Sequence, residues 1–342
     1  MVSKSKILGC LVGAAAGDAM GAATEIRSRT QIHELFGGDV RDFYKPPMDT
    51  FGRGNEAGQI TDDFSVSYVT AQHIVKNGGM ITSEVAEEAL LEWSTIERWF
   101  SRFAGPTTRA SLARIKNAKA GIEVPAEEFV PVNFNSQSSN GAGMKIPAPS
   151  LFSNGDIDKA IENAITICHI THPNQIALAG AAAVAAAVAA ASREKADLFD
   201  VVKAGIYGAE RGQELGCQYH TNAGANIAKR IKLAVSIAMT ADSYDAAIDE
   251  IADIIGSSLA AQEAIPAVFG LMVAAGGDTV DGICAGVNVG DDTDTVATMI
   301  GGILGTLNGI ESMPEHWLGY LNKQNNITLD KLADDMDAII NK

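Results

Sequence analysis

Residues 9 to 21 read Gly-Cys-Leu-Val-Gly-Ala-Ala-Ala-Gly-Asp-Ala-Met-Gly, with Gly9, Gly13, Gly17 and Gly21 four apart. That period predicts a helix with one face bare of side chains, because positions i and i+4 lie one above the other. Glycine in a helix interior costs about 1 kcal/mol relative to alanine, so four in register need an offsetting gain. Close backbone packing against another helix supplies it. Gly301, Gly305 and Gly309 repeat the device near the other end of the chain. Both segments are therefore expected to pack tightly, and a pairing with each other is one candidate.

Outward from this pair, apolar spacing of three and four predicts helices over 64–76, 83–100, 107–119, 156–168, 175–192 and 198–215. It predicts others over 223–240, 244–257, 265–275 and 279–287, several begun by a Ser, Thr or Asp cap. Alternating strand patterns are nearly absent. Hydrophobic residues make up 46% of the chain and aromatics only 6%. A core of small side chains on closely packed helices follows, since a sheet would want more Val, Ile, Tyr and Phe. The stretches 37–58 and 125–149, richer in Pro, Gly and Asn, are too long for mere connectors and are candidate ligand loops. The 342 residues exceed the usual single-domain size, yet no stretch reads as a hinge. The expected fold is all-α, a compact single-domain bundle of a dozen or more helices over residues 1–342.

The formal net charge of −16 repels phosphate backbones, and no Lys/Arg cluster compensates locally, so no nucleic-acid partner is expected. Acidic patches on such a chain suit cations. Cys10, Cys168, Cys217 and Cys284 are far apart among small apolar residues and read as buried hydrophobes, with no metal or redox pairing. The apolar run 176–191 is shorter than the roughly 20 residues a membrane span needs. The N-terminus lacks the pattern of a signal peptide. No membrane association and a reducing, cytoplasmic setting are expected; oligomeric state is not legible.

Two acidic stretches stand out. Residues 288–295 read Asn-Val-Gly-Asp-Asp-Thr-Asp-Thr, and residues 58–63 read Gly-Gln-Ile-Thr-Asp-Asp; each opens a predicted helix. A helix start welcomes one Asp or Thr as a cap and favours acidic residues in its first turn. Three aspartates within four residues exceed that need and would repel one another. Hard divalent cations resolve the conflict. Asp62, Asp63, Asp292 and Asp294 carry four negative charges, enough to balance two divalent ions, with the hydroxyls of Thr61 and Thr295 as neutral oxygen ligands. Oxygen-only ligation favours Mg²⁺ or Mn²⁺ over zinc.

With these residues in view, the chain resembles the ADP-ribosylglycohydrolase family. The stretches that carry the resemblance are 13–25 (Gly-Ala-Ala-Ala-Gly-Asp-Ala-Met-Gly-Ala-Ala-Thr-Glu), Thr61-Asp62-Asp63, 139–145 (Ser-Asn-Gly-Ala-Gly-Met-Lys), Thr171-His172-Pro173 and 290–295, the last preceded by Glu263-Ala264-Ile265-Pro266-Ala267. The resemblance implies an all-α enzyme with two Mg²⁺ or Mn²⁺ ions, held here by Thr61, Asp62, Asp63, Asp292, Asp294 and Thr295. It implies hydrolysis of the bond at the anomeric carbon of an ADP-ribosylated protein or small ADP-ribosyl compound. Glu25 would lie near the metals and the substrate ribose, and Glu25, Asp62 and Asp63 are the candidates to steer the attacking water. Asn140, Gly141, Ala142, Gly143 and Met144 would form the loop that cradles the diphosphate, and His172 would lie beside the substrate.

Other readings of the same residues stay open. Glu25 could be a surface carboxylate beside Arg27 and Arg29, the loop a plain turn, and His172 a structural residue. Asp18 could support a metal ligand or serve as the buried partner of a helix cap. Lys145 stands where the family pattern has Arg, a point charge in place of a planar fork. Residues 25–29 and 213–230, with His220 and Asn222, match no family function. A nucleoside or other riboside hydrolase, or a non-catalytic ADP-ribose-binding protein, would share this fold.

Overall fold

The two glycine faces meet each other. In the computed structural model, which describes residues 1–122 and 137–342, the helix Lys4–Gly21 packs on the helix Thr293–Asn308. A Cβ built on Gly9 would stand 2.1 Å from the carbonyl oxygen of Gly305, one on Gly13 2.2 Å from that of Gly301, and one on Gly17 2.2 Å from that of Ala297. On Gly21 it would stand 2.3 Å from the Cα of Asp294. The partners descend as the glycines ascend, so the helices are antiparallel, and no side chain fits at these distances. Gly309 continues the contact while ending the second helix. A Cβ on Gly9 would stand 2.8 Å from its carbonyl carbon, a Cβ on Gly309 would stand 2.4 Å from Ser5 Oγ one turn earlier in the first helix, and its φ of 79° is one that glycine adopts readily.

A second pair uses the same means. The helix Gln175–Ala191 is buried along its whole length, as a helix apolar on every side must be. Leu198–Gly216 packs on it through Gly208, where a Cβ would stand 2.3 Å from the Ala182 carbonyl oxygen. No helix among the described residues is long and apolar enough to cross a membrane.

Among the described residues there are seventeen α-helices, no strand, and two isolated bridges, Ser28 to Gly290 and Ser139 to Ala260. The structure differs from the periodicity in several places. The segment 83–100 is two helices, Ser83–Trp93 and Glu97–Phe103. Between them the hydroxyls of Ser94 and Thr95 donate back to the carbonyls of Leu91 and Glu92, a side-chain competition that interrupts a helix. The segment 244–257 is α-helical only over Tyr244–Glu250 and closes in a π turn, Ile251–Ile255. Ala261–Ala274 begins ahead of its expected start and holds Pro266 inside. Ile227–Thr240 begins later, at the Asn226 cap. Arg29–Phe36, His316–Asn325 and Leu329–Ile340 are short helices that the spacing did not single out. The stretch 37–58 holds no helix, as expected. Of the stretch 125–149, residues 125–136 lie outside the described residues, and the remainder folds as short turns around Asn140–Ala142 and Pro147–Ser150. Three of the four cysteines are buried; Cys217 is exposed, contrary to its apolar sequence context, because it caps the end of Leu198–Gly216.

The glycine contact generates a prediction with an unusual sign. Helix propensity alone would make Gly13→Ala stabilising by about 1 kcal/mol. The contact predicts a loss of about 1–3 kcal/mol, the usual cost of overpacking, read as a lower urea midpoint. A midpoint at or above that of the unaltered protein would contradict the packing.

Candidate active site

The end of the first helix gathers the acidic stretches. Asp18, fully buried, accepts hydrogen bonds from the Thr61 amide at 2.9 Å, the Thr61 hydroxyl at 2.8 Å and the Phe64 amide at 2.9 Å. These are the donors that a helix start leaves unpaired, so Asp18 fastens the helix Asp62–Lys76, with Thr61 as its N-cap, to the glycine helix. Of the two readings of Asp18, the buried partner of a helix cap is the one observed, and it holds the segment that carries Thr61, Asp62 and Asp63. On the other side, the Thr293 hydroxyl donates to the Gly21 carbonyl at 2.9 Å, and the bare face of Gly21 lies against Asp294. The Thr295 hydroxyl then donates to the Asp63 carboxylate, joining stretches 232 residues apart.

Glu25, Asp292 and Asp294 converge next to this junction. One carboxylate oxygen of each lies within 4.8 Å of the others, and all three residues are buried. Glu25 is not the surface carboxylate of the alternative reading: Arg27 and Arg29 pair instead with Asp49 and Asp245. Two reciprocal bonds of 2.8 Å, from the Ile26 amide to the Asp291 carbonyl and from the Asp291 amide to the Arg27 carbonyl, strap the segments together. Ile26 and Asp291 both have left-handed backbones, φ 63° and 59°. For a β-branched residue this is strained, at about 1–3 kcal/mol, and such strain gathers at functional sites. Asp292 is held further by the Ser257 carbonyl, which accepts from its amide at 3.2 Å, and by the Asn140 side chain, which donates to its carboxylate. A cavity of about 770 Å³ opens against the strap, lined by Ile26, Ser28, Arg29, Asp253, Ser257 and Asp291 among others.

Crowding and burial disfavour the charged forms. Burial, followed by the charges of Asp292 and Asp62, pushes the Glu25 carboxyl up to about 9. Burial and then Asp18 push Asp62 up to about 8. Asp63 and Asp294 stand well above the ordinary range, through burial first and then through Asp62 and Glu25 respectively. Asp292 is raised by burial, with the bond from Asn140 acting against the shift. Among the described residues no lysine, arginine or histidine pairs with Glu25, Asp62, Asp63, Asp292 or Asp294. One oxygen of Glu25, Oε2, is buried with no hydrogen-bond partner. An all-oxygen donor set with an orphaned buried carboxylate oxygen fits a hard divalent cation.

The loop expected at Asn140 to Met144 begins as a single turn of 3₁₀ helix, Asn140–Ala142. The amides of Asn140, Gly143 and Met144 donate within the protein, to the carbonyls of Leu259, Asn140 and Asn140. The loop therefore offers a ligand fewer backbone donors than an open glycine nest, and its side chains gain weight. A Cβ on Gly143 would stand 2.8 Å from Ile265 Cδ1, so a side chain there would displace the tip of Ile265. His172 sits behind the turn, buried, with Nδ1 at 2.8 Å from the Thr171 hydroxyl and Nε2 at 3.0 Å from the Ser139 hydroxyl. Asn222, to which the sequence gave no role, donates to Ser138 at 2.8 Å and braces the approach to the loop. Sequence reasoning assigned no role to Ser139, Ser257 and Thr293, whose work is done by a carbonyl or by a hydroxyl reaching across the fold; Ser139 and Thr293 stand inside the quoted motifs, and no signal marked Ser257.

Comparison with known proteins shows likeness along nearly the whole chain. A protein of Escherichia coli (strain K12), uncharacterized protein YegU, is 25% identical over 332 residues, covering 96% of this chain and 95% of its own. Human ADP-ribosylhydrolase ARH3 is 23% identical, covering 92% and 88%. A solved structure described as an ADP-ribosylglycohydrolase-related protein complex shares the fold with a TM-score of 0.68 over 98% of both chains, at 21% identity. The model of the ADP-ribosylglycohydrolase family matches residues 2–342, so nearly the entire sequence, acidic stretches and glycine helices included, is accounted for by one family. The chain belongs to the ADP-ribosylglycohydrolase family.

Proposed function

We propose that the protein hydrolyses the glycosidic bond at the anomeric ribose carbon of an ADP-ribosylated protein or small ADP-ribosyl compound. Two Mg²⁺ or Mn²⁺ ions would be held by Thr61, Asp62, Asp63, Asp292, Asp294 and Thr295. The observation that carries this reading is the junction of Thr295 with Asp63 beside the mutual approach of Glu25, Asp292 and Asp294, buried without a counter-cation among the described residues. Family membership supports the bond class, and the name of the ARH3 relatives supports the ADP-ribosyl group. The single family match over residues 2–342 supports one domain. Free thiols, one of them exposed at Cys217, suit a reducing, cytoplasmic compartment.

Bound divalent ions would supply Lewis acidity and a lowered pKa for a coordinated water. The chain's own residues do the rest. Glu25, with its unpartnered oxygen, is the carboxylate placed to orient water and accept its proton. Asp62 and Asp63 are the other candidates for that work. The surrounding carboxylates favour the positive, oxocarbenium-like charge that grows as the leaving group departs. Asn140 fixes Asp292, and the turn Asn140–Ala142 with Gly143 and Met144, backed by His172, forms the wall on which the diphosphate would lie.

Replacing both Asp292 and Asp294 by Asn is expected to lower release of ADP-ribose from ADP-ribosyl-arginine, ADP-ribosyl-serine or O-acetyl-ADP-ribose in Mg²⁺ or Mn²⁺ by about 10³-fold or more, as for loss of a main electrostatic element. Undiminished turnover would reject the assignment, and so would an unaltered protein that binds ADP-ribose but turns over none of these.

Stability without metal provides a separate check. The carboxyl groups of Glu25 and Asp62 sit at about 9 and about 8 in the fold, far above their ordinary values near 4 in an unfolded chain. Their contribution is fully present below about pH 4 and is lost as pH rises through about 8 to 9. In EDTA the melting temperature should fall from pH 5.5 to pH 8.5, and added Mg²⁺ or Mn²⁺ should raise it more at pH 8.5. Equal metal shifts at both pH values would contradict a site of buried, proton-retaining carboxyls.

A further inference from the structure

Lys145 is a buried cation, 5% exposed, whose ammonium makes one hydrogen bond among the described residues, to the Thr171 hydroxyl at 2.6 Å. No described carboxylate pairs with it, and burial lowers its pKa. A charge so placed is costly unless it orders something.

What it orders can be followed proton by proton. An ammonium only donates, so Thr171 Oγ1 accepts from Lys145 and has a single proton to spend. Two acceptors are in reach: His172 Nδ1 at 2.8 Å and the Cys168 carbonyl at 3.3 Å. The shorter contact favours His172. So does the field of the ammonium, because a neutral imidazole near a cation turns a lone pair toward it and keeps its N–H on the far side. Burial and the Lys145 charge hold the His172 pKa well below its ordinary value, so the ring is neutral. With the lone pair at Nδ1, the ring proton resides on Nε2 and is donated to Ser139 Oγ at 3.0 Å. Ser139, having accepted, keeps its own proton to give. Ser139 is half-buried. Its Oγ and the His172 ring lie together against the bare Cα of Gly141, where a Cβ would stand 3.5 Å and 3.2 Å from Ser139 Oγ and His172 Nε2, and Asn140 of the same turn grips Asp292.

We propose that Lys145 polarises the chain Lys145–Thr171–His172–Ser139, locking His172 as its Nε2–H tautomer so that the Ser139 hydroxyl donates to an anionic oxygen of the substrate diphosphate. Lys145 and His172 are then positioning residues and Ser139 is the contact. The substrate half of this statement rests on the proposed function; the tautomer half stands without it. The role also accounts for the tolerance of lysine in place of arginine, since a single donated bond in a closed space needs a point charge and no fork.

The test uses the full chain. Long-range ¹⁵N spectra of histidine-labelled protein are expected to show His172 of the unaltered protein protonated at Nε2 with a bare Nδ1, and to lose that single state in Lys145→Met. By calorimetry, Lys145→Met and Ser139→Ala are each expected to weaken ADP-ribose binding about tenfold, the scale of one hydrogen bond to a charged group. The double variant should be no weaker than either single one, as for members of one network. The melting temperature of Lys145→Met should not fall, because methionine fills the same volume without a buried charge. An Nδ1–H tautomer in the unaltered protein, or additive losses in the double variant, would overturn the proposal. If Lys145→Met fails to fold, the spectrum of the unaltered protein and the Ser139→Ala affinity decide it. An unaltered protein that does not bind ADP-ribose removes the diphosphate role and the proposed function together, while the tautomer is still read directly.

Discussion

Two helices from opposite ends of the chain touch backbone to backbone, and the candidate site hangs from that contact. A Cβ on Gly9, Gly13 or Gly17 would sit close to 2 Å from a carbonyl oxygen of the helix Thr293–Asn308. Contact through bare glycine faces leaves no side-chain layer to absorb a change in spacing. The helix Lys4–Gly21 therefore fixes three things at its C-terminal end: the Asp18 carboxylate that holds Thr61 and Phe64, the Gly21 carbonyl that receives Thr293, and the short connection to Glu25. Its fourfold glycine loss, about 1 kcal/mol each relative to alanine, is offset by burial that longer side chains would prevent.

The same arrangement sets up an electrostatic conflict. Burial lifts the carboxyl groups of Glu25, Asp62, Asp63, Asp292 and Asp294 above their ordinary range, and the strap between Ile26 and Asp291 adds backbone strain. A fold that holds this many carboxylates with no paired base among the described residues is arranged for something other than its own stability. Divalent cations would relieve the repulsion, and their binding free energy would return to the fold as stability. Lys145 is the complementary case: a buried positive charge with no paired carboxylate among the described residues, joined through Thr171 and His172 to Ser139 beside the turn that touches Asp292.

Much of this was legible because the responsible signals are local. Glycines four apart, Asp and Thr at helix starts and an alanine-rich run apolar on every side each speak to their own few residues. The all-α fold, the glycine helices and the pairing of stretches around Asp63 and Thr295 follow from them. What the sequence hid depends on the third dimension. The break at Ser94 and Thr95 comes from hydroxyls bonding back to carbonyls, a choice invisible to apolar spacing. Cys217 looked buried from its neighbours, yet it stands past a helix end. For His172 the sequence hid the partners of both ring nitrogens, Thr171 and Ser139, contacts from the adjoining residue and from a loop 33 residues away. Asp18 had two competing readings, and the geometry shows the helix-cap partner, bonded to Thr61 and Phe64.

The most direct measurement is anomalous diffraction from crystals grown with Mn²⁺. The account predicts two peaks about 3.5–4 Å apart, lodged between the Thr61–Asp63 helix start on one side and Asp292, Asp294 and Thr295 on the other. Density at only one of the two stretches, or none at either with Mn²⁺ bound elsewhere on the chain, would contradict it.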